Sequence, residues 1–168
     1  MIEPDVFKRG MRRLAAGVSL VTTVHDSVFH GLLATAVNSV SADPPTVLVC
    51  VNRASSAHAP IAGSGIFCVN FLGLDNDEVA QRFSSPIERE KRFQAGDWRD
   101  LGTGSPALFG ALASLDCRVT QMVEVSSHTV FFGEVLSLEL WTERSSPLVY
   151  VDGSYLPKST FAASGNVV

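Results

Sequence analysis

Polar and charged side chains follow an apolar run in the segment "VCVNRASSAH", residues 49–58. Hydroxyl groups, a cation and the N–H groups of a following helix start are together the donors that bind phosphate. The segment therefore predicts a phosphate site, with Asn52 and Arg53 beside Ser55, Ser56 and His58. A simple helix cap made by one of the two serines explains the same residues equally well, so both interpretations stay open at this point.

A second cluster of cations lies in "EREKRF", residues 88–93. The chain has a formal net charge of −4, so binding an anion requires a local positive cluster to offset repulsion. Lys91, Arg92 and Phe93, together with Arg89, are candidates for that role. A solvated run of charges is the alternative interpretation.

The segment "LLATAVNSVSADPP", residues 32–45, is neither bulky nor charged. A flat heteroaromatic ligand that lies against the backbone needs thin side chains and N–H groups that are not paired in a sheet. An edge strand that runs into a turn at the double proline is the plain alternative. The candidate ring-binding residues are Thr35, Ala36, Val37, Asn38, Ser39, Val40 and Ser41.

His128 follows Ser126-Ser127 and opens a strand-like run. An imidazole titrates near neutral pH, so it suits proton transfer or a hydrogen bond to a substrate amide, although a lone histidine at the start of a strand more often has a structural role. The four histidines are scattered and lack metal-ligand spacing, and we expect no metal site. The sequence has no GxGxxG, Walker, HExxH or GxSxG motif.

The whole chain sets limits on the molecule that positions these groups. Its 168 residues predict a single domain, 1–168, with a core at about 7–157 and a flexible tail at 158–168. The acidic balance argues against a nucleic-acid partner, and no apolar run approaches the length of a membrane span. Cys50, Cys68 and Cys117 form no CxxC pair, which favours a reducing cytoplasm. The 46% of hydrophobic residues indicates a subunit interface.

The elements that carry the candidates are mostly strands. We expect a helix over 3–17, a hairpin of strands 18–25 and 30–37, and a strand at 46–52 that begins after the double proline and is buried on both faces. Further predictions are a helix that begins at Ser55 or Ser56, a strand at 66–72, a helix at 75–84, an irregular segment at 84–105, and strands from 106 onward. Many strands without a βαβ rhythm favour an all-β or α+β barrel.

Taken in order, these segments resemble the flavin reductase-like family of FMN-binding split barrels, over about residues 7–157. The resemblance implies a mainly β (α+β) split barrel with a few short peripheral helices, a homodimer, a bound FMN or FAD, and NADH or NADPH as hydride donor. Its carriers are "GLLATAVNSVSADPPTVLVCVNRASS", "FCVNFLGLDNDEVAQRFS", "KRF" before Trp98, "GSPALFGALASLDCRV", "HTVFFGEV" and "PLVYVDGSY".

The resemblance also implies roles for individual residues. Residues 35–41 would run along the isoalloxazine edge, Cys50 and Asn52 near the ring or ribityl chain, and Ser55, Ser56 and His58 near the phosphate. Lys91, Arg92 and Phe93 would close over the phosphate and ribityl side, His128 would lie near the nicotinamide and flavin, and Tyr155 would border the pocket. One departure is that Ser126-Ser127 replaces the Gly-Asp that precedes this histidine in many members.

The expected function is that of an NAD(P)H:flavin oxidoreductase, an FMN reductase that transfers a hydride from the nicotinamide to flavin N5 and supplies reduced flavin to a monooxygenase. The absence of a basic signature for a 2′-phosphate favours NADH. Two alternatives remain open: a flavoprotein that reduces another bound substrate, such as a corrinoid, and a non-catalytic flavin- or haem-binding barrel.

Overall fold

The computed structural model describes residues 2–85, 89–142 and 145–162, and within these ranges the chain is mainly antiparallel strands with short peripheral helices. The strands are β1 (Ala16–Gly17), β2 (Ser19–His25), β3 (Val28–Ala34), β4 (Val37–Ala42), β5 (Pro45–Asn52), β6 (Ile66–Phe71), β7 (Trp98–Arg99), β8 (Ala107–Leu108), β9 (Ala113–Val125), β10 (His128–Leu140), β11 (Val149–Val151) and β12 (Ser154–Tyr155). The helices are α1 (Pro4–Met11), α2 (His58–Ser64), α3 (Asp77–Ser84) and α4 (Ser159–Ala162), with 3-10 turns at Leu74–Asn76 and Arg89–Gln94.

The largest sheet of the described chain has the strand order β3-β2-β6-β9-β10-β5-β4. Its two edge strands, β3 and β4, are consecutive in sequence and only Thr35 and Ala36 separate them. The sheet must therefore curve until its two edges meet, and the Cys50 N–H donates to the Ala36 carbonyl (3.0 Å) at the meeting point. This arrangement confirms the prediction of a split β-barrel.

Two apolar clusters hold the barrel and its helices. One fills the interior and includes the fully buried rings of Phe67 and Phe131. Gly133 lies against the first ring, where a Cβ would overlap it. The other cluster packs Phe83 of α3 and Leu108 of β8 against β2. Each fully buried side chain of this size contributes about 1.5–3 kcal/mol to stability, so α3 is firmly anchored beside β3.

A buried polar hub links the strands to the segment before β9. The Asn70 carboxamide is fully buried; its nitrogen donates to the Leu20 carbonyl (3.1 Å). Its oxygen accepts from the Leu108 N–H (2.7 Å) and from the Ser114 hydroxyl (2.6 Å). These bonds satisfy groups on three different elements, and they fix β8 on the barrel.

The hairpin prediction is confirmed, and its turn residues Asp26 and Ser27 both have positive φ (50° and 62°). The short two-residue turn suits the right-handed twist of the flanking strands. The second strand, however, ends at Ala34 rather than at residue 37. Val37 begins β4 and pairs with Val49 of β5 instead.

The N-terminal helix is shorter than predicted. It ends at Met11, residues 12–15 turn away from the helix, and Ala16–Gly17 form β1, in which Ala16 pairs with Tyr150 of β11. No residue of α1 is buried. Without a core beneath its apolar face the helix has little to extend it, whereas pairing with β11 satisfies backbone groups.

Strand β5 is buried on one face only, which corrects the expectation of two. Val47, Val49 and Val51 point into the barrel, while Cys50 is half-buried and Asn52 exposed. Among the described residues no helix covers the outer face of β5, whereas helices cover both faces of a parallel sheet, so the continuous apolar run does not by itself mean burial on both faces. The strand also begins at Pro45 itself, a position that a first-strand proline tolerates.

Strands 66–72 and the helix at 75–84 are found close to their predicted bounds, as β6 and α3. Of the predicted flexible tail, residues 163–168 lie outside the described residues. No helix in the described ranges is long and apolar enough to cross a membrane.

Candidate functional site

A groove with a volume of about 350 Å³ opens between α3, the 3-10 turn at Arg89–Gln94 and the loop from β5 to α2. Strand β3 forms its floor. The groove brings together three of the predicted phosphate ligands, Ser55, Ser56 and Arg92. Its lining residues are Gly31, Leu32, Leu33, Ala54, Ser55, Ser56, Phe83, Ser84, Arg89 and Arg92.

Arg92 carries an unsatisfied donor in this groove. One of its terminal nitrogens donates to the Ser85 carbonyl, and its guanidinium carbon lies 5.7 Å from the centre of the Phe83 ring. Its Nε is buried and has no hydrogen-bond partner among the described residues. Burial, and then the charge of Arg89, lower the pKa of Arg92. Two neighbouring guanidiniums with a spare buried donor have the chemistry that anion binding requires.

The loop beside the two arginines is held by its own side chains. Asn52 Oδ1 accepts from the Ala54 N–H (2.9 Å), and Ser55 Oγ accepts from the Ala57 N–H (3.3 Å). Helix α2 begins at His58, later than either predicted serine cap. Asn52 therefore shapes the loop, although it does not line the groove.

His58 and Arg53 are not brought into the groove. His58 Nε2 lies 2.8 Å from Thr129 Oγ1, and its ring packs edge-on against Phe131. Arg53 forms an exposed ion pair with Glu124 (3.4 Å). Both side chains thus have partners in the barrel wall. The polar sequence before α2 could not show which of its residues would face the groove and which would face the wall.

The 3-10 turn also divides the predicted residues. Phe93 packs into an aromatic cluster with Phe83, Trp98 and Phe29, with ring centres 5.1, 4.9 and 5.4 Å away. Lys91 is exposed and does not line the groove. Arg89 does line the groove, although nothing in the sequence favoured it over its neighbours. Only the fold of the turn shows that Arg89 and Arg92 face the groove while Lys91 does not.

The groove continues along β3 towards the meeting point of the barrel edges. Leu33 also lines a second cavity of about 180 Å³, which includes Thr35 and Tyr155. Tyr150, whose ring centre lies 5.5 Å from that of Tyr155, completes its wall and was missed from sequence. From Gly31 to Thr35 the strand advances about 13 Å, so one elongated ligand can reach from the arginines to Thr35.

Thr35 also borders the largest cavity of this region, with a volume of about 860 Å³. Every candidate in 35–41 except Val40 lines it, together with Met11 and Leu14. The pairing of β4 with β5 shifts between Ser39 and Ser41, and this bulge leaves Val40 unpaired and 48% exposed. The volume suits a small-molecule site.

The expectation that residues 35–41 are unpaired needs correction. Val37–Ala42 forms β4, which bonds to β5 along one side. Unpaired amides are available from Thr35 and Ala36 and along the open edge of β4, because β4 is an edge strand of the described sheet. The double proline ends the strand, as the alternative interpretation held.

Three remaining candidates share the outer face of the barrel. His128 stands directly opposite Asn52 in the ladder of β10 and β5, and Cys50 lies two residues along on the same side. His128 is exposed, and its Nδ1 lies 2.9 Å from Ser127 Oγ. In the described part of the chain, none of the three lines the cavity of about 860 Å³ beside residues 35–41 or the groove that contains Arg92.

The three cysteines differ in accessibility. Cys68 and Cys117 are fully buried, and burial raises the pKa of Cys117 to about 12 and that of Cys68 well above its ordinary value. Since the thiolate is the reactive form, neither should react in the folded protein. We expect iodoacetamide to label Cys50 first, and all three thiols after unfolding, as measured by mass spectrometry. Labelling of Cys117 as fast as Cys50 would contradict this, and Cys50→Ser should abolish native labelling.

The chain is similar to known proteins in both sequence and structure. The family model described as flavin reductase like domain matches residues 11–159. The "FMN reductase (NADH) RutF" of Pantoea ananatis is 38% identical over 156 residues, which cover 93% of this chain and 82% of that protein.

Two solved structures are similar over nearly the whole chain. The NADH:FAD oxidoreductase SgcE6 of Streptomyces globisporus, in complex with NAD and FAD fragments, has a TM-score of 0.85 at 28% identity and 99% coverage of both chains. BorF, the flavin reductase component of a bacterial two-component tryptophan halogenase, has a TM-score of 0.82 at 31% identity, covering 92% of this chain and 97% of BorF. The resemblance noted in the sequence is confirmed: the chain belongs to the flavin reductase like domain family.

Proposed function

We propose that this protein is an NADH-dependent FMN reductase. The single observation that carries the proposal is a path along β3 from Arg92, whose Nε has no partner among the described residues, to Thr35, because the groove and the second cavity adjoin at Leu33, which lines both. A flavin mononucleotide has the matching chemistry, with a doubly charged phosphate at one end and a flat tricyclic ring at the other. The curated relatives carry the same activity in their names.

The residues of the path fit such a molecule. Arg89, Arg92, Ser55 and Ser56 would hold the phosphate, and the buried Arg92 Nε would gain the acceptor that it lacks among the described residues. Gly31 keeps the floor thin, since a Cβ there would lie 2.8 Å from Phe83 Cε1. The ring would lie against Thr35 and Ala36, with Tyr155 at its border.

When bound, a flavin supplies an N5 atom that accepts a hydride from a nicotinamide. The chain's contribution is to position and to stabilise. Amides of Thr35 and Ala36 and of the open edge of β4 would donate to the pyrimidine end of the ring, where charge develops on reduction. The nearby cavity of about 860 Å³ leaves room for the nicotinamide. Because the sequence shows no basic signature for a 2′-phosphate, NADH is the favoured donor and NADPH the alternative.

A homodimer would complete the site. The outer face that carries Cys50, Asn52 and His128 also carries Val123 and Val125, which are 38% and 55% exposed. An apolar face of this kind, together with α1 and its lack of buried residues, favours burial against a second copy. His128 of one protomer would then approach the ring held by the other, where it would orient the carboxamide of the nicotinamide or carry a proton.

Reduced flavin would be passed to a separate monooxygenase. The comparison structures include the reductase component of a halogenase and a component of a nitrilotriacetate monooxygenase. Three free cysteines, two of them fully buried, agree with a cytoplasmic location. FAD as a second flavin is also compatible with the groove.

The function is tested by NADH oxidation with purified protein. We expect oxidation only when FMN is added, with saturation as flavin rises, because flavin is released as product. Retention of flavin with no turnover of NADH would refute the reductase and leave a binding protein. A bound flavin that bleaches but reduces only a further substrate would favour the alternative of direct substrate reduction.

His128→Ala is expected to slow flavin reduction about tenfold or more while FMN affinity changes little. The reason is that His128 lies away from the flavin-binding path but on the face that a second protomer would cover. Stopped-flow reduction by NADH and fluorescence titration with FMN measure the two quantities separately. A variant that lost FMN while bound flavin was reduced at the normal rate would contradict this role, and His128→Gln should restore part of the rate if the ring acts by hydrogen bonding.

A further inference from the structure

An exposed aromatic side chain lies just beyond the anion-binding end of the groove. Phe29 is 46% exposed. Residues 29, 31 and 33 of β3 share one face of the strand, because side chains alternate. Two of these, Gly31 and Leu33, line the groove, and Phe29 is the next position along the same face.

The contacts of Phe29 place it close to the arginines. Its ring centre is 5.4 Å from that of Phe93, which directly follows Arg92. A Cβ on Gly31 would lie 3.4 Å from the same Phe93 ring. The distance along β3 from Gly31 to Phe29 is about 7 Å, which is the direction in which a ligand would extend after its first phosphate.

This arrangement matches the second half of a flavin dinucleotide. Beyond its first phosphate, FAD carries a second phosphate, a ribose and an adenine. Arg89 and Arg92 both line the groove and can share a pyrophosphate. An exposed aromatic ring next to an anion site is a stacking surface for a purine, since bases stack on aromatic side chains irrespective of their hydrogen-bonding edges.

We propose that Phe29 is an adenine-stacking residue that determines how strongly the groove prefers the dinucleotide FAD over FMN. The inference rests on the proposed function, because it places the first phosphate of FAD where the phosphate of FMN binds. It adds a residue outside the path from Arg92 to Thr35. Phe29 makes no contribution to FMN binding, since FMN ends at the arginines.

The test compares FMN and FAD affinities in Phe29→Ala and in a matched control. Val28→Ala is that control, because Val28 is its neighbour, is 54% exposed and lies on the opposite face of the strand. We expect Phe29→Ala to weaken FAD binding on the order of tenfold with no more than about twofold change for FMN. Val28→Ala should change neither affinity, and Phe29→Trp should retain FAD affinity where Phe29→Leu loses it.

Fluorescence titration of the flavins and the melting temperature of each variant are the measurements. Equal losses of FMN and FAD in Phe29→Ala, or equal FAD losses in the two alanine variants, would overturn the stacking role. Binding of FMN by the wild-type protein without any binding of FAD would overturn it too, while leaving the proposed function intact. Failure of the wild-type protein to bind either flavin would instead remove the proposed function.

Discussion

Replacing both Arg89 and Arg92 with alanine is expected to weaken FMN binding about 100-fold or more, because each charge-assisted hydrogen bond to a phosphate contributes about 1.5–3 kcal/mol. Riboflavin, which lacks the phosphate, should lose little affinity. The two guanidiniums share one groove, and neither has a carboxylate within ion-pair distance among the described residues. Isothermal titration or fluorescence quenching with both ligands gives the ratio directly.

The matched control is Arg53→Ala. Arg53 has the same charge and lies in the adjoining loop, but it pairs with Glu124 on the outer surface (3.4 Å). FMN affinity should therefore be unchanged within about twofold. Equal losses for FMN and riboflavin in the double variant would mean that the arginines support the fold of the groove rather than bind the phosphate. Arg92→Lys separates charge from geometry, because lysine keeps the charge and loses the planar fork.

Asn70→Leu is expected to lower the free energy of unfolding by about 3–5 kcal/mol. The carboxamide is fully buried, and its removal leaves the Leu108 N–H and the Leu20 carbonyl without their partners. Whole domains of this size are stable by only about 5–15 kcal/mol, so much of the stability should be lost. Urea unfolding followed by tryptophan fluorescence measures the change.

Two further variants keep this prediction testable. Ser114→Ala removes one bond to Asn70 (2.6 Å) and the acceptor of Trp141 Nε1 (2.8 Å), and should cost about 1–3 kcal/mol. Thr120→Ala removes an exposed bond to the Phe132 carbonyl (3.3 Å) and should cost less than about 0.5 kcal/mol. A change in Asn70→Leu no larger than that of Thr120→Ala would show that the hub carries no stability.

Much of the barrel could be predicted from local patterns. The strand at β5 and the tight turn at Asp26 and Ser27 follow from residue type and turn geometry, which act over a few residues. The pairing of Ala16 with Tyr150 could not be predicted, because it joins residues more than a hundred positions apart. A continuous apolar run also does not show whether both faces of a strand are covered, and for this reason β5 was wrongly expected to be buried on both faces.

The candidate site shows the same division. Ser55, Ser56 and Arg92 were predicted from their donor chemistry, which is visible in sequence, and the structure brings these three side chains to one groove. His58 and Phe93 have equally suitable chemistry but are turned into packing by Thr129 and Trp98, which come from distant segments. His128 lies away from the groove because of how the barrel closes. Closure decides which strands become neighbours, and a local sequence pattern does not show this.

Because only Thr35 and Ala36 link β3 to β4, the gap between these two edges of the barrel is bridged by the chain at one point. On either side of this link, β3 and β4 are edge strands of the described sheet, and the amides and carbonyls along their outer edges have no neighbouring strand. A ligand lying between the two edges would supply hydrogen-bonding partners in place of a strand. A flavin bound there as proposed would stabilise the folded protein, because a ligand that binds only the folded state raises the free energy of unfolding, and the supply of flavin would then affect how much of the protein stays folded.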